Sequence, residues 1–296
     1  MSHNQYKASL FAISAVLLWS TVASAFKLSL AYFDALQLLL YAAFFSLCVF
    51  FCAMLYQKKF YILLIYSKKT YFQLAILGLI NPFIYYLVLF RAYELLPAQE
   101  VQPINYTWAL TLTYLSVFIL KQKVSFYDFI AGLICYFGVL VISTHGDLFN
   151  FSFSNFTGVF LALFSTLLWS LYWLYNTKLQ VDPLAGLFIN FLFGVPVILL
   201  YALVTSHPLT FNLYGFLGSV YVGVFEMGIT FILWLQAMKL STNTAKIANF
   251  IFISPFLSLF FIYFFVGETI LFSTFIGLIF IIIGLFVQQK GKKVNR

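Results

Sequence analysis

Glu226 is the residue of this chain that packing explains least well. It stands about twelve residues from either end of an apolar run spanning about 214 to 238, so its carboxylate would have to reach roughly 18 Å along a helix to leave hydrocarbon. A lone carboxylate at that depth is costly unless it takes up a proton or a cation, or is hydrogen-bonded. Such a group suits proton coupling or cation binding, and it equally suits a neutral structural role. Thr230 and Trp234 follow at i+4 and i+8, which puts all three on one face of a regular helix.

A second polar cluster opens the segment Leu95 to Leu120, where Glu100, Gln102, Pro103, Asn105, Tyr106 and Trp108 precede a plain apolar run. Hydrocarbon offers these groups no water, so they should turn toward a protein interior or a wet cavity. Gln102, Asn105 or Tyr106, and Ala109 form one stripe at helical spacing. Pro103 removes a backbone donor, leaving local carbonyls free to accept from a ligand ammonium. Glu100 lies near the segment's end, where water or Arg91 would satisfy it. Trp19, Trp108 and Trp169 offer ring faces to an aromatic or cationic ligand, although with 22% aromatics most rings here serve lipid contact or helix packing. Ser20 and Ser170 beside two of the tryptophans could equally hydrogen-bond across helices. Tyr172 joins Trp169 as a candidate binding residue. Lys27 and Lys246 are close enough to helix ends to snorkel, with a substrate carboxylate as the second reading of Lys246. Asn249, Ser254 and Pro255 answer to the polar start of the 95–120 segment, and Pro103 and Pro255 mark expected bends and candidate gates, although packing kinks need no function.

These residues need helices that hold them inside a bilayer. Of 296 residues 64% are hydrophobic and 8% charged, with a mean hydropathy of +1.01, and so little polar surface could not cover a soluble domain. Ten apolar runs match the hydrocarbon thickness: about 7 to 31, 34 to 56, 70 to 93, 97 to 120, 124 to 144, 156 to 178, 183 to 205, 214 to 238, 243 to 266 and 269 to 289. The first is too long for a signal-peptide core and is read as a retained helix. Short connections make neighbouring helices antiparallel. The fold class is therefore all-α integral membrane, with ten transmembrane helices.

Charge sets the expected orientation. The net charge of +8 sits mostly in short loops, which reports topology and not nucleic-acid binding. Lys7, Lys58, Lys59, Lys68, Lys69, Lys121, Lys123, Lys178, Lys239, Lys290, Lys292, Lys293 and Arg296 collect on one side, Lys27 and Arg91 on the other, so both termini are expected in the cytoplasm. Asp34, Glu94, Glu100, Asp147 and Glu268 gather at the outer ends. Cys48, Cys52 and Cys135 fall inside spans and read as apolar packing rather than a disulfide or metal framework. His3, His145 and His207 lie in the tail or in loops, so no intramembrane Ser-His or HExxH site is present, and no Gly-rich phosphate loop suggests a self-contained pump. An enzyme is not expected, nor a cofactor.

An internal duplication is visible. LLWS at Leu17 to Ser20 recurs at Leu167 to Ser170, and a shift of 145 lays Gly78 to Leu140 on Gly223 to Leu285 without a gap, matching Gly78 with Gly223, Ala92 with Ala237 and Gly132 with Gly277. The same shift sets Asn81, beside the helix-disrupting Pro82 and one turn before Tyr85, against Glu226. Five spans per half is an odd number, so the halves, 1–148 and 149–296, should enter the membrane in opposite orientation, with a site near the midplane where they meet. Gly132, Gly138, Gly277 and Gly284 would allow close packing within one chain or between two, which admits a homodimer.

At this point the chain resembles the drug/metabolite transporter superfamily, in its EamA-type branch of two five-helix repeats. The resemblance rests on the paired LLWS starts, on Glu100-Val101 through Asn105-Tyr106-Thr107-Trp108, and on the Gly267-Glu268 turn. Within the superfamily, LLWST with E-V-x-x-x-N-Y-x-W is similar to bacterial exporters of aromatic amino acids, except that Ala109 stands where those often have proline. The resemblance implies a secondary exporter of small metabolites in the bacterial inner membrane, working by alternating access. Its cavity would be lined by the first, third, fourth, sixth, eighth and ninth spans. A small-molecule substrate and membrane lipid are then the expected partners. Nucleotide derivatives or toxic cations are the near alternative, although a phosphate would want more cavity cations than Lys27 and Lys246 supply. A membrane sensor or assembly partner is the alternative of a different class.

Overall fold

A computed structural model describes residues 4–120, 126–149, 155–179, 181–240 and 250–294. Thirteen α-helices are found among them, and no strand. Asn4 starts α1 (Gln5–Leu30), its side chain accepting from the Lys7 N–H, and Asp34 starts α2 (Ala35–Tyr56) by accepting from Leu36 and Gln37. Such caps satisfy N–H groups that a helix start leaves unpaired. After a 3-10 turn over Phe60–Ile65 come α3 (Lys68–Gly78), α4 (Tyr85–Leu95), α5 (Ala98–Tyr106), α6 (Trp108–Leu120) and α7 (Phe126–Ser143). The second half holds α8 (Phe156–Lys178), α9 (Pro183–Val204), α10 (Leu213–Tyr221), α11 (Thr230–Leu240), α12 (Ser254–Phe261) and α13 (Phe272–Val294).

Among the described residues eight helical segments are long and apolar enough to cross a membrane: Gln5–Leu30, Ala35–Tyr56, Lys68–Leu95, Phe126–Ser143, Phe156–Asn176, Pro183–Val204, Leu213–Ala237 and Phe272–Lys290. The runs expected at 97–120 and 243–266 come in pieces. In the first, the break falls at Thr107 and not at Pro103. The Thr107 N–H and hydroxyl both turn back to the Ile104 carbonyl, at 3.1 and 2.8 Å, a local bond that competes with the helical ladder, while Pro103 stays inside α5. In the second, Pro255 sits in the first turn of α12, directly after a 3-10 turn over Phe250–Ile253. A proline there forfeits no intrahelical bond.

Two of the spanning segments carry a wide π turn at matching places, Leu79–Ile84 between α3 and α4 and Val222–Ile229 between α10 and α11. In the first, Asn81 leaves helical geometry at φ −141°, ψ 117°, directly before Pro82, which has no N–H to give to the helical ladder. In the second, the extra residue per turn shifts everything after Glu226 by one position around the axis. The face expected from regular spacing is thereby broken.

Helices pair across the halves: α1 with α11 and α12, α8 with α4 and α6, α2 with α9, and α7 along α13. The last pair needs glycine. A Cβ on Gly138 would lie 2.5 Å from the Gly277 carbonyl oxygen, and one on Gly277 equally close to the Gly138 carbonyl oxygen, so this stripe is used within the chain.

Polar ties close both ends of the bundle. At one end Lys59 pairs with Asp182 at 2.7 Å, and the Tyr66 hydroxyl accepts from the Asp182 N–H at 2.8 Å. At the other, Gly267 turns the chain with φ +78°, a conformation glycine adopts without strain. Glu268 then accepts from the Ala98 and Gln99 N–H groups at 2.8 and 3.1 Å, which are unpaired donors at the start of α5. The Gln99 side chain answers by donating to the Thr269 carbonyl at 2.9 Å and accepting from the Leu271 N–H at 2.8 Å and the Thr274 hydroxyl at 3.1 Å.

Candidate functional site

A central cavity of about 60 Å³ lies between the halves. It is lined from α1 by Trp19, Val22 and Phe26, from α4 by Tyr85 and Leu89, and from α5 and α6 by Gln102, Asn105, Tyr106 and Trp108. Trp169 of α8, Glu226 of the π turn and Ile251 complete it. Each helix contributes here because a break or a crossing aims it inward. The Thr107 break sends Tyr106 and Trp108 to the same space, and the Val222–Ile229 turn presents Glu226.

Glu226 is only 8% exposed. The Tyr86 hydroxyl donates to its Oε1 at 3.3 Å, and Oε2 has no hydrogen-bond partner among the described residues. Trp19 stands within reach of the same carboxylate. Around it the rings interlock: Tyr85 and Trp169 at 4.7 Å between centroids, Trp108 and Trp169 at 6.5 Å, Trp19 and Phe231 at 6.3 Å. Among the described residues no lysine, arginine or histidine lines the cavity. The Lys27 ammonium is taken up by the Tyr93 and Leu96 carbonyls, each at 2.7 Å. One unsatisfied carboxylate oxygen and several ring faces favour a protonated amine or other organic cation over a bare anion.

The polar stripe of α5 is held in place by its neighbours. Tyr93 donates its hydroxyl to Gln102, and Asn105 donates to the Ser165 hydroxyl at 2.9 Å, so both amides reach the cavity in fixed orientations.

The model of the EamA-like transporter family matches this chain twice, over residues 6–144 and 156–288. The chain belongs to the EamA-like transporter family. This EamA-type chain is 28% identical over 186 residues to a protein of Clostridium kluyveri named "Uncharacterized transporter". The match covers 60% of this chain and 59% of that relative's length. A solved structure, titled only as the crystal structure of a protein, shares the fold with a TM-score of 0.69 at 21% identity, covering 99% of this chain and all of the other. The family match and the transporter-named relative agree with a multi-pass membrane transporter of the drug/metabolite superfamily, and the solved structure shows the shared fold.

Several residues expected at the site of this EamA-type protein lie elsewhere. Ser20 is fully buried, donating to the Val16 carbonyl at 2.7 Å and to the Ser254 hydroxyl at 3.3 Å. Asn81 is 0% exposed at its kink and outside the lining, because the extended backbone before Pro82 turns that face away from the register of Tyr85. Thr230 bonds back to the Phe225 carbonyl, and Trp234 packs on Trp19 at 5.3 Å. Both were displaced by the π turn, which brings Phe231 toward Trp19 and Trp169 instead. Tyr172 pairs with Asn190 at 3.0 Å and lines a different cavity. Glu100 is completely buried and meets His145 at 2.8 Å, while Arg91 pairs with Glu94. Asn249 and Lys246 lie outside the described residues. Val22, Phe26, Leu89 and Ile251 gave no chemical signal in the sequence. Their membership follows only from the helix crossings.

Proposed function

We propose that this protein is a secondary exporter of small amphipathic metabolites, aromatic amino acids among them, that works by alternating access around the central cavity. The observation that carries the reading is the cavity itself, an aromatic box between the halves with the Glu226 carboxylate in its wall, one oxygen of which has no hydrogen-bond partner among the described residues. Glu226 acts as the coupling or cation-binding group, and Trp19, Trp108, Trp169 and Tyr85 hold the flat part of the ligand. Pro255 and the Thr107 break serve as the flexible points of the two segments that close over it.

Ten spans as two inverted five-helix repeats, divided near residue 148, supply the architecture of this proposal. Exchanging spans one and six, two and seven, three and eight, four and nine, and five and ten turns the pairing of α1 with α11 and α12 into that of α8 with α4 and α6, and leaves α2 with α9 and α7 with α13 unchanged. The two LLWS serines obey the same exchange, Ser20 bonding Ser254 and Ser170 bonding the Trp108 carbonyl at 3.0 Å. An odd number of spans per repeat then inverts the second against the first. In this reading the Lys59 end, with its lysine-rich loops, faces the cytoplasm of a bacterial cell and the Glu268 end faces outside.

A second substrate reading has its own support. Nothing cationic among the described residues lines the cavity to meet an amino acid's carboxylate, so aromatic amines and related organic cations fit it at least as well. The test is counterflow of radiolabelled phenylalanine into liposomes holding the purified protein, with tryptophan, phenethylamine and tryptamine as unlabelled competitors. Quenching by the amino acids supports the first reading, and quenching by the amines alone supports the second. Absence of counterflow of both labelled phenylalanine and labelled tryptamine, in folded protein, removes both.

A further inference from the structure

The connection between α2 and α3 carries more than a turn requires. It reads QKKFYILLIYS over 57–67 and runs on into Lys68 and Lys69 at the start of α3, so the apolar 3-10 turn Phe60–Ile65 stands between two lysine pairs. The connection at the same place in the other half, 205–212 between α9 and α10, reads TSHPLTFN and has no lysine. Two such helices can therefore be joined without this feature. α2 and the segment that α3 opens are both long and apolar enough to cross a membrane, which puts the turn between them at the bilayer surface.

Three residues per turn sort the side chains of a 3-10 helix by edge. Phe60 and Leu63 share one edge and, with Tyr66, pack against the core, Phe60 lying 5.3 Å from Phe51 and 5.8 Å from Phe188 between ring centroids. Tyr61 and Leu64 share the next edge and are 65% and 88% exposed, and Ile65 is 72% exposed. The backbone beneath them is fixed. The Lys58 and Lys59 N–H groups return to the Leu55 and Met54 carbonyls, both at 3.0 Å, which closes α2. The Tyr71 hydroxyl donates to the Leu63 carbonyl at 2.6 Å, and Lys59 and Tyr66 both meet Asp182 as described above. A turn held at these points keeps Tyr61, Leu64 and Ile65 directed outward.

Charge says what covers them. Lys58, Lys68 and Lys69 flank the turn, are exposed and form no ion pair among the described residues. All eight acidic residues of the chain lie among those described, and Asp182, bound to Lys59, is the one that pairs here. Between Asp34 and Glu94 the sequence has no acidic residue. A soluble anion would answer the lysines and leave three apolar side chains in water, whereas an uncharged lipid would cover the apolar edge and leave the lysines unanswered.

We propose that this turn is a binding surface for an anionic phospholipid, with Tyr61, Leu64 and Ile65 in the acyl boundary and Lys58, Lys68 and Lys69 on the headgroup phosphate. The surface is independent of the exporter reading.

The probe is phosphatidylglycerol with brominated chains. Ile65→Cys is made in the full chain with Cys48→Ser and Cys52→Ser, the two exposed native thiols, leaving Cys135 buried, labelled with bimane and reconstituted in phosphatidylcholine. Brominated phosphatidylglycerol, or brominated phosphatidylcholine at the same mole fraction, quenches the label according to how often each lipid sits beside it. A lysine near an anionic lipid favours it about fivefold, so a headgroup that meets two of the three is enriched about 25-fold over phosphatidylcholine. Lys58→Gln, Lys68→Gln and Lys69→Gln together bring that ratio near one, while the charge-matched set Lys290→Gln, Lys292→Gln and Lys293→Gln leaves it unchanged. Equal quenching by the two lipids, in protein that is folded by its melting curve, overturns the surface, as does a preference that survives the first set or is lost in the second. A label shielded from aqueous acrylamide yet quenched by neither lipid shows a protein on this face and overturns the lipid as its occupant.

Discussion

Removing the Glu268 carboxylate should unlatch one end of the central cavity. Glu268 accepts two backbone N–H groups at the start of α5, at 2.8 and 3.1 Å, and these groups belong to the opposite half of the chain. Hydrogen bonds to a charged group contribute about 1.5–3 kcal/mol and loss of a helix-start acceptor costs about 1 kcal/mol. Water reaches this half-buried turn and screens part of that, so about 2 kcal/mol is the reasonable loss for Glu268→Ala. If the contact exists only while this end is closed, the ratio of open to closed protein rises about 30-fold, at tenfold per 1.4 kcal/mol. The reporter is Val22→Cys, a cavity-lining position only 5% exposed, with Cys48 and Cys52 changed to serine. A membrane-impermeant thiol reagent is applied from the Glu268 side, and Phe211→Cys, exposed at the same end, controls for reagent access. Cavity labelling should accelerate about 30-fold as long as the open form remains the minor one, with the control unchanged. An unaltered labelling rate in folded Glu268→Ala protein would refute the latch.

Other expectations follow from the same geometry. Glu226→Gln keeps the shape and Tyr86 contact but removes the charge. At about 4 Å and an effective dielectric near 20 the lost attraction for a ligand ammonium is about 4 kcal/mol before desolvation, so tryptamine binding should weaken at least 100-fold by calorimetry with the melting temperature little changed, and pH dependence of transport should flatten. Trp169→Ala removes a ring from the wall of the central cavity and should reduce counterflow more than Trp234→Ala, which only loosens packing on Trp19. Gly138→Val sets a branched side chain against the Gly277 carbonyl oxygen, where overpacking costs about 1–3 kcal/mol, and should lower the melting temperature in detergent.

What the sequence made legible were features carried by composition and local rules. Hydropathy marked every span now seen as a long helix, and the repeated LLWS picked out Trp19 and Trp169, which the fold brings to one cavity. Glu226, Gln102, Asn105, Tyr106 and Trp108 were found because polar groups inside hydrocarbon are costly enough to need a reason. The misplacements have separate physical causes. Thr230 and Trp234 were put on the Glu226 face by regular helical spacing, and a π turn, which has no reliable sequence signature, moved them off it and brought Phe231 in. Pro103 was a sound reason for a bend, yet the break fell at Thr107, whose hydroxyl competes for a carbonyl more quietly. Glu100 found His145 rather than Arg91 because long-range pairs depend on where the end of α7 meets α5, and no local rule reaches that far.

The distribution of polar ties gives the two halves unequal freedom. α2 and α9 are joined at both ends, by Lys59 with Asp182 at one and by Gln37 with Thr210 and Asp34 with His207 at the other. Opposing ties of this kind leave the α2–α9 contact as the place where the halves turn least. Away from it the Glu268 contacts join α5 to the turn before α13 at one end only among the described residues. Rocking about α2 and α9 would keep the first set intact and break the second, exposing the cavity on the Glu268 side through the gap beside α5. In the proposed cycle the carboxylate at 268 therefore sets how often that side opens, while the carboxylate at 226 sets what is held when it does.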